Sequence, residues 1–307
     1  MDVRAANEEL ILSWRLSLVG DRKPKAARTV TLYLSEAHRF ARWLEANGRP
    51  ATAPGDLLGV SKKDIESWIV AHRAKGTAEN TIRNRWVCLR NLYRWAHREG
   101  EVDPNPIIDV FIAKPNPPPP DTVTEDDIKK LLKVCEGTDF YARRDTALIR
   151  LLLATGLRVS ECVDVTLDDL DLNTRIIRVR HGKGDKARAV RFDPATAASL
   201  DRYKRVRARH RHAGMPWLWI GFRGRMTRKG VPAMLDKRTA EAGIGHVHPH
   251  MLRHTWADRW LSAGGNEGDL QRLGGWESAD IMRRYGEARA VDRALAAYDN
   301  VDPMAGL

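Results

Sequence analysis

The sequence predicts a mainly α chain of the α+β class in two domains, a helical one over residues 1–113 and a mixed one over 122–307, joined by a linker at 114–121. Three observations predict it. Apolar residues recur at spacings of three and four through most of the chain, the period of an amphipathic helix. One stretch, 175–191, changes to alternation about a Gly-Lys-Gly-Asp turn, as a β-hairpin does. Lys114-Pro-Asn-Pro-Pro-Pro-Pro-Asp121 carries five prolines, which hold the backbone extended and remove donors that a helix or sheet needs.

The first domain reads as helical throughout. Leu32, Phe40, Trp43 and Leu44 mark one apolar face, ending at Asn47-Gly48. Ser61 with Asp64 makes a capping pair for a helix through Ile65, Trp68 and Ile69. The strongest segment is Thr81 to His97, where Ile82, Trp86, Leu89, Leu92, Tyr93 and Ala96 form a stripe and Arg83, Arg85, Arg90 and Arg94 occupy the other side. Those arginines are either a solvated face or a face for the major groove.

In the second domain, Thr124 heads a helix with Glu125, Asp126 and Asp127 in its first turn, where the helix dipole favours acids. Ile128, Leu131, Leu132 and Cys135 supply its buried stripe. Ala147 to Thr155 is a more deeply apolar helix stopped by Gly156. In the hairpin, Ile177 and Val179 alternate with arginines, and Ala187, Ala189 and Phe192 resume the alternation. Helices return over 193–212 and from Pro249 onward.

Charge narrows the partner. The chain of 307 residues has 52 Lys and Arg against 40 Asp and Glu, a net of +12. Residues 1–120 carry 19 basic and 14 acidic side chains and the remainder 33 and 26, so both domains are cationic. A polyanion held by both, nucleic acid above all, fits this balance; a merely basic soluble protein is the plainer alternative. No run approaches the ~20 apolar residues of a membrane span. The N-terminus lacks an export pattern, and three widely spaced cysteines suggest neither a disulfide framework nor a zinc site. A cytoplasmic protein with no membrane partner is expected.

Several chemistries fall away. No GxxxxGK[ST] loop is present to cradle a nucleotide, and no GxGxxG follows a strand. The acids lack the paired spacing of a two-metal nuclease or a glycosidase. What remains is a set of single polar residues beside helix ends. TGLRVSE (155–161) places Arg158 beside a core helix with Glu161 three residues on, which is either a structural ion pair or a phosphate-binding arginine with its orienting acid. Four of the ten histidines fall in 246–254. They lack the acid or cysteine of a zinc motif, so no metal or other cofactor is expected. The better reading starts a helix at Pro249 and puts His250 and Arg253 one turn apart on one face, suited to an oxyanion. LGGWESADIMRRYGE (273–287) carries Trp276 and Tyr285, the latter either a surface aromatic or a reactive phenol. Arg202 to Arg211 is a basic run that reads as a solvated face or a phosphate contact, and Trp217 and Trp219 read as core.

These motifs resemble the tyrosine recombinase (phage integrase) family. TGLRVSE is similar to its first arginine box, HPHMLRHTWA (248–257) to its His-x-x-Arg-His box, and LGGW followed by tyrosine nine residues after the tryptophan to its nucleophile box. GKGDKAR (182–188) fits its mobile lysine turn. Order and spacing agree over about 170 residues; the helical region before the linker resembles the family's core-binding domain more weakly. The resemblance implies that Tyr285 is the nucleophile, forming a 3′-phosphotyrosyl bond to DNA. It implies further that Arg158 and Arg253 clamp the scissile phosphate, His250 acts in proton transfer and Lys183 protonates the leaving 5′-oxygen. Trp276 stands where many members have histidine, which leaves no imidazole there to carry a proton. Glu161 would order the arginines and His254 would be structural. Tyr298, in a terminal amphipathic segment, has the wrong spacing from Trp276.

The expected activity is therefore site-specific recombination of double-stranded DNA by a homotetramer at attachment sites, without ATP or metal. Arg83, Arg85 and Arg90 are the candidate DNA contacts of the first domain. The resemblance is to the simple two-domain type with no arm-binding domain, which predicts compact attachment sites. Integration and excision of a phage or prophage genome, with a possible directionality factor, is the first reading. An Xer-type resolvase of chromosome or plasmid dimers is the second, and a type IB topoisomerase-like relaxing enzyme the third. The chemistry is self-consistent: a phosphodiester under attack gathers charge on its oxygens, which guanidinium groups stabilise, and a phenol with a pKa near 10 needs cationic surroundings to attack.

Overall fold

Side-chain caps begin six of the described α-helices, and left-handed glycines end three of them. The computed structural model describes residues 3–47, 55–115, 120–180, 187–276 and 295, and the chain divides into two compact units, Met1–Pro117 and Pro118–Leu307.

The first unit contains α1 (Val3–Gly20), α2 (Ala27–Asn47), α3 (Lys62–Ala74) and α4 (Glu79–Arg98). Ser61 and Asp64 form the expected capping box at the start of α3. Trp14, Phe40, Leu57, Ile65, Trp86 and Tyr93 are buried together at its centre. The segment before α3 is tied in by polar groups that burial obliges to pair. Asn7 donates from Nδ2 to Gly55 O at 2.7 Å and accepts from Leu57 N at 3.0 Å, and the Tyr93 hydroxyl donates to Leu57 O at 3.0 Å.

Two expectations change here. Leu32 is 50% exposed, and the buried stripe of α2 runs instead through Val30, Ala37, Phe40 and Leu44. The arginines of α4 do not form an open face. Arg83, Arg85 and Arg90 are half-buried and only Arg94 of the four is exposed, because α4 packs against α1, α2 and α3.

The second unit is built on α6 (Phe140–Thr155), which packs against α8 (Pro194–Arg207) and α10 (Pro249–Ser262). Asp139 caps α6, accepting from Tyr141 N and Ala142 N, and Gly156 ends it at φ 59°. Thr124 caps α5 (Glu125–Lys133) as expected, with Asp127 N donating to its hydroxyl. After α6 come α7 (Val159–Asp164) and a 3-10 turn, Leu167–Asp169. An antiparallel sheet follows, in the order β1 (Leu170–Asp171), β2 (Ile176–Val179), β3 (Arg188–Arg191). A second pair, β4 (Ile220–Gly221) and β5 (Gly224–Arg225), had no signal in the alternation, since two residues a strand are too few to show a period. Then come α9 (Gly230–Ala242), α10 and α11 (Glu267–Gly274).

The hairpin register corrects the sequence reading by one residue. Val179 pairs with Arg188 and Ile177 with Val190; cross-strand partners share a face, so Arg188, Val190 and Phe192 point toward the packed side while Ala187 and Ala189 are exposed. Of the two tryptophans read as core, Trp219 is fully buried and stacks on Tyr203 with centroids 5.3 Å apart, whereas Trp217 lies half-exposed beneath Arg225. In the basic run, Arg207 turns inward and donates to the carbonyls of Ala213, Met215, Trp217 and Leu218, so one residue of that run is a structural clamp.

Candidate active site

The start of α7 and the strand β3 meet at a single carboxylate of the second unit, with α10 and the end of α11 beside it. Glu161, in the first turn of α7, is 5% exposed. It accepts from the backbone N–H of Arg158 at 2.9 Å, closing the helix start, and from Arg158 Nη1 at 2.8 Å. From β3, Arg188 grips the same carboxylate with two arms, Nη1 at 2.9 Å and Nη2 at 2.7 Å. Burial pushes the Glu161 carboxyl up, but hydrogen bonds and charge from Arg188 and Arg158 outweigh it and hold the group below its ordinary value of 4.5.

Arg253 enters from α10, one turn after His250. It is 4% exposed and donates to Gly156 O and, at 2.6 Å, to Gly274 O. Its guanidinium lies 4.0 Å from the centroid of the Trp276 ring, which stacks in turn on Trp256 at 5.9 Å. Burial first, then the charges of Arg158 and Arg188, push Arg253 down to about 9, so it remains a cation at neutral pH. Arg158, Arg188 and Arg253 set against one carboxylate leave a cationic surplus, which is the electrostatic requirement for holding a phosphate.

The helix positions are enforced locally. His248 caps α10, its Nδ1 accepting from Met251 N at 3.3 Å, with Pro249 in the first turn. In the sequence His248 stands within a histidine cluster, and its place just before Pro249 is the signal for a cap. Gly156 cannot be replaced cheaply: besides its φ, a Cβ there would fall 2.0 Å from Trp256. His250 is exposed at the lip of the site, its ring 6.3 Å from His248 and 6.5 Å from His254. The protein crowding its ring holds its pKa below the ordinary 6.5, with His248, Arg253 and Arg158 acting the same way, so it is neutral at pH 7 and able to accept a proton. His254 is half-buried on the same helix.

Of the residues read from the motifs, the structure therefore brings together Arg158, Glu161, His250, Arg253 and Trp276, with His254 beside His250. Lys183, Tyr285 and the rival Tyr298 lie outside the described residues, as does most of the proline run. Arg83, Arg85 and Arg90 belong to the first unit. There Arg85 lies 3.7 Å from Glu36 and near His72, and Arg90 stacks on Trp86 at 4.6 Å. Arg188 was the residue missed. It ends the GKGDKAR motif, where an alternation through Ala187 and Ala189 puts position 188 on the outward face, the reverse of the register observed. Among the described residues, no group of three or more His, Cys, Asp or Glu side chains could hold a metal ion, and no helix is long and apolar enough to cross a membrane.

The comparisons agree with the geometry. The phage integrase family profile matches residues 121–290. The chain is 30% identical over 283 residues to tyrosine recombinase XerC of Oceanobacillus iheyensis, covering 90% of each protein. It is 31% identical over 263 residues to XerC of Lacticaseibacillus casei, covering 84% of this chain and 87% of that one. Among solved structures, its fold is similar to the Tn1549 transposon integrase in complex with transposon right-end DNA, with a TM-score of 0.73 at 21% identity over 95% of this chain and 99% of that one. With a buried carboxylate gathering arginines from α7 and β3, Arg253 and Trp276 beside it, and a family profile spanning the whole constellation, the chain belongs to the phage integrase family, the tyrosine recombinases.

Proposed function

We propose that this tyrosine recombinase breaks and rejoins double-stranded DNA at specific sites through a covalent 3′-phosphotyrosyl bond, with Tyr285 as the nucleophile. The observation that carries the reading is the convergence of Arg158 and Arg253 beside Trp276, with the protein's own carboxylate neutralising only part of their charge. In the proposed step the phenolic oxygen of Tyr285 attacks phosphorus and the bond from phosphorus to the 5′-oxygen breaks. The phenol proton leaves to His250 or to solvent, and Lys183 donates a proton to the departing 5′-oxygen. Arg158 and Arg253 stabilise the charge gathering on the non-bridging oxygens. The phosphodiester is exchanged for a phosphotyrosyl ester rather than hydrolysed. A free 5′-hydroxyl can therefore reverse the step, and no ATP is needed.

Between the two biological settings, the XerC relatives favour Xer-type resolution of chromosome or plasmid dimers over the integration of a phage genome expected first from the motifs. The working assembly in this proposal is a tetramer on two duplexes, and a directionality factor belongs only to the phage setting.

The chemistry is tested by incubating the protein with a nicked suicide duplex pool carrying a randomised core and recovering detergent-stable adducts. Wild type should yield adducts whose attached peptide contains Tyr285, and Tyr285→Phe should yield none while still binding the recovered sites. An adduct that survives the substitution overturns the assignment. The setting is tested by placing two recovered sites on one plasmid: resolution into two circles supports an Xer-type resolvase. Supercoil relaxation without exchange points to a topoisomerase-like enzyme, and dependence on two unlike sites restores the integrase reading.

A further inference from the structure

We infer that Arg188 is a positioning residue of the recombination centre. One guanidinium locks Glu161, and through it Arg158, to the C-terminal end of α11, the helix that leads into the segment from Trp276 to Tyr285. The inference rests on the proposed function above, in which Arg158 and Arg253 bind the scissile phosphate.

The observation behind it is a run of three successive carbonyls, each taken by a different arginine. Leu273 O accepts from Arg188 Nε at 2.7 Å, Gly274 O from Arg253 Nη2 at 2.6 Å, and Gly275 O from Arg158 Nη2 at 2.6 Å. The last carbonyls of a helix have no partner within it and carry its negative dipole end, so they are natural acceptors for guanidinium donors. Gly275 permits the approach: it sits at φ +64°, and a Cβ there would come within 3.0 Å of Arg188 Nη1 and 3.4 Å of Arg158 Nη1.

The three arginines are not committed equally. The contacts named above use Nη1 and Nη2 of Arg158 and of Arg253, one protein acceptor on each, whereas Arg188 engages Nε and both Nη on protein. Its side chain is 11% exposed, against 23% for Arg158. A guanidinium turned inward with all three nitrogens engaged is a bracket, whereas Arg158 keeps more of its side chain exposed for a ligand. Arg188 is also the first residue of β3, five positions after Lys183 in the chain, so the same bracket ties the strand that follows the lysine turn to the centre. A lysine in its place would keep the charge but could not span a carboxylate and a carbonyl at once, because it lacks the planar fork.

The test measures single-turnover cleavage of a recovered nicked suicide duplex by the full chain as wild type, Arg188→Lys, Arg188→Gln, Glu161→Gln and the Arg188→Gln/Glu161→Gln double variant, with the rate at saturating DNA and the half-saturating concentration read separately. For Arg188→Gln the saturated rate should fall about 10²-fold, the scale of a 1 Å misplacement, while half-saturation moves by less than about threefold. Arg188→Lys guards against a folding failure and should recover part of the rate. The loss caused by Arg188→Gln should shrink once Glu161 is already Gln, because both substitutions break the same bracket. The inference is overturned by an unchanged saturated rate, by rate and affinity falling together, or by fully additive losses. Tyr285→Phe, run in parallel, reads the underlying assignment independently: if adducts persist there, that assignment fails, and the Arg188 split is read at whichever residue is attached.

Discussion

The arginine cluster around Glu161 and the arginines of α4 are held in different ways. Around Glu161, guanidiniums from α7 and β3 converge on one buried carboxylate, and with Arg253 they hold three neighbouring carbonyls, so each group's position depends on the others. On α4 the arginines have separate surroundings: Arg85 lies by His72 and by Glu36, which Arg39 of α2 also reaches, Arg90 on the Trp86 ring, and Arg94 in solvent. Convergence builds a fixed cationic receptor that a protein must organise around an anion of its own. Dispersion leaves cations that solvate or pair separately and can be lost singly. Density of arginine in a sequence therefore says little about a phosphate site; shared acceptors say much more.

The strongest way to break this contrast is to neutralise two buried carboxylates, Glu161 and Glu36. Glu161→Gln strands buried guanidiniums and should destabilise the second unit by about 3–5 kcal/mol, the range for breaking a buried ion pair. Glu36 is as buried, but one partner, Arg39, keeps 53% of its side chain in solvent, so Glu36→Gln should cost only about 1–3 kcal/mol. Chemical denaturation of each variant checks both, and equal losses would erase the distinction.

Glycines sharpen it next. Gly156→Ala must accept a left-handed φ and push into Trp256, a combined loss of about 2–4 kcal/mol. Gly76 has a similar φ, +69°, but nothing within 4 Å of an added Cβ, so Gly76→Ala should lose about 1–2 kcal/mol. Thermal melts of the pair separate close packing from backbone strain.

Acid should reach different groups in turn. The His72 pKa is held below 6.5, by burial first and then by Arg85 and Lys75. The unfolded chain takes up that proton first, so the contribution of neutral His72 is whole above 6.5 and is lost as pH falls toward the folded value. The Glu161 contribution is whole above 4.5 and is lost below it as the carboxylate protonates. Stability measured against pH should therefore lose its His72-dependent slope in His72→Gln at mildly acidic pH, and its Glu161-dependent slope in Glu161→Gln only below about 4.5. If both variants act in one window, the depressed carboxyl is misjudged.

The smallest effect belongs to Arg94. Its replacement by alanine should leave stability within about 0.5 kcal/mol. If α4 meets DNA, the salt slope of binding should drop by about one, and an unchanged slope removes α4 from the contact.

How much was legible follows from these examples. The capping pairs at Ser61 and Thr124, the stop at Gly156 and the helix start at Pro249 were readable because each is a contact between residues a few positions apart. So were Arg158, Glu161, His250, Arg253 and Trp276, whose residue types and spacings carry the family motifs. The inward turn of Arg188 was not. A side-chain period of two makes a one-residue error reverse both faces of a strand, and only the pairing of Val179 with Arg188 settles which face is packed. The partial burial of the α4 arginines was not legible for a related reason: the periodicity distinguishes an apolar stripe from a polar one, but how many neighbours surround a helix is decided by the other helices.

The amino-acid order alone determined the helical character, the hairpin and the cationic balance of both halves, since these depend on local preference or on composition; the candidate site residues came from motifs that resemble those of the family. Tertiary structure alone decided that Arg188 joins Arg158 at Glu161, that Leu273, Gly274 and Gly275 each receive a different guanidinium, and that Arg85 turns to Glu36. Those contacts link residues 21 to 117 positions apart around the site, and 49 apart between α4 and α2. No short-range signal encodes such a meeting; it exists only once packing has excluded water and left each buried charge and carbonyl to find its partner within the protein.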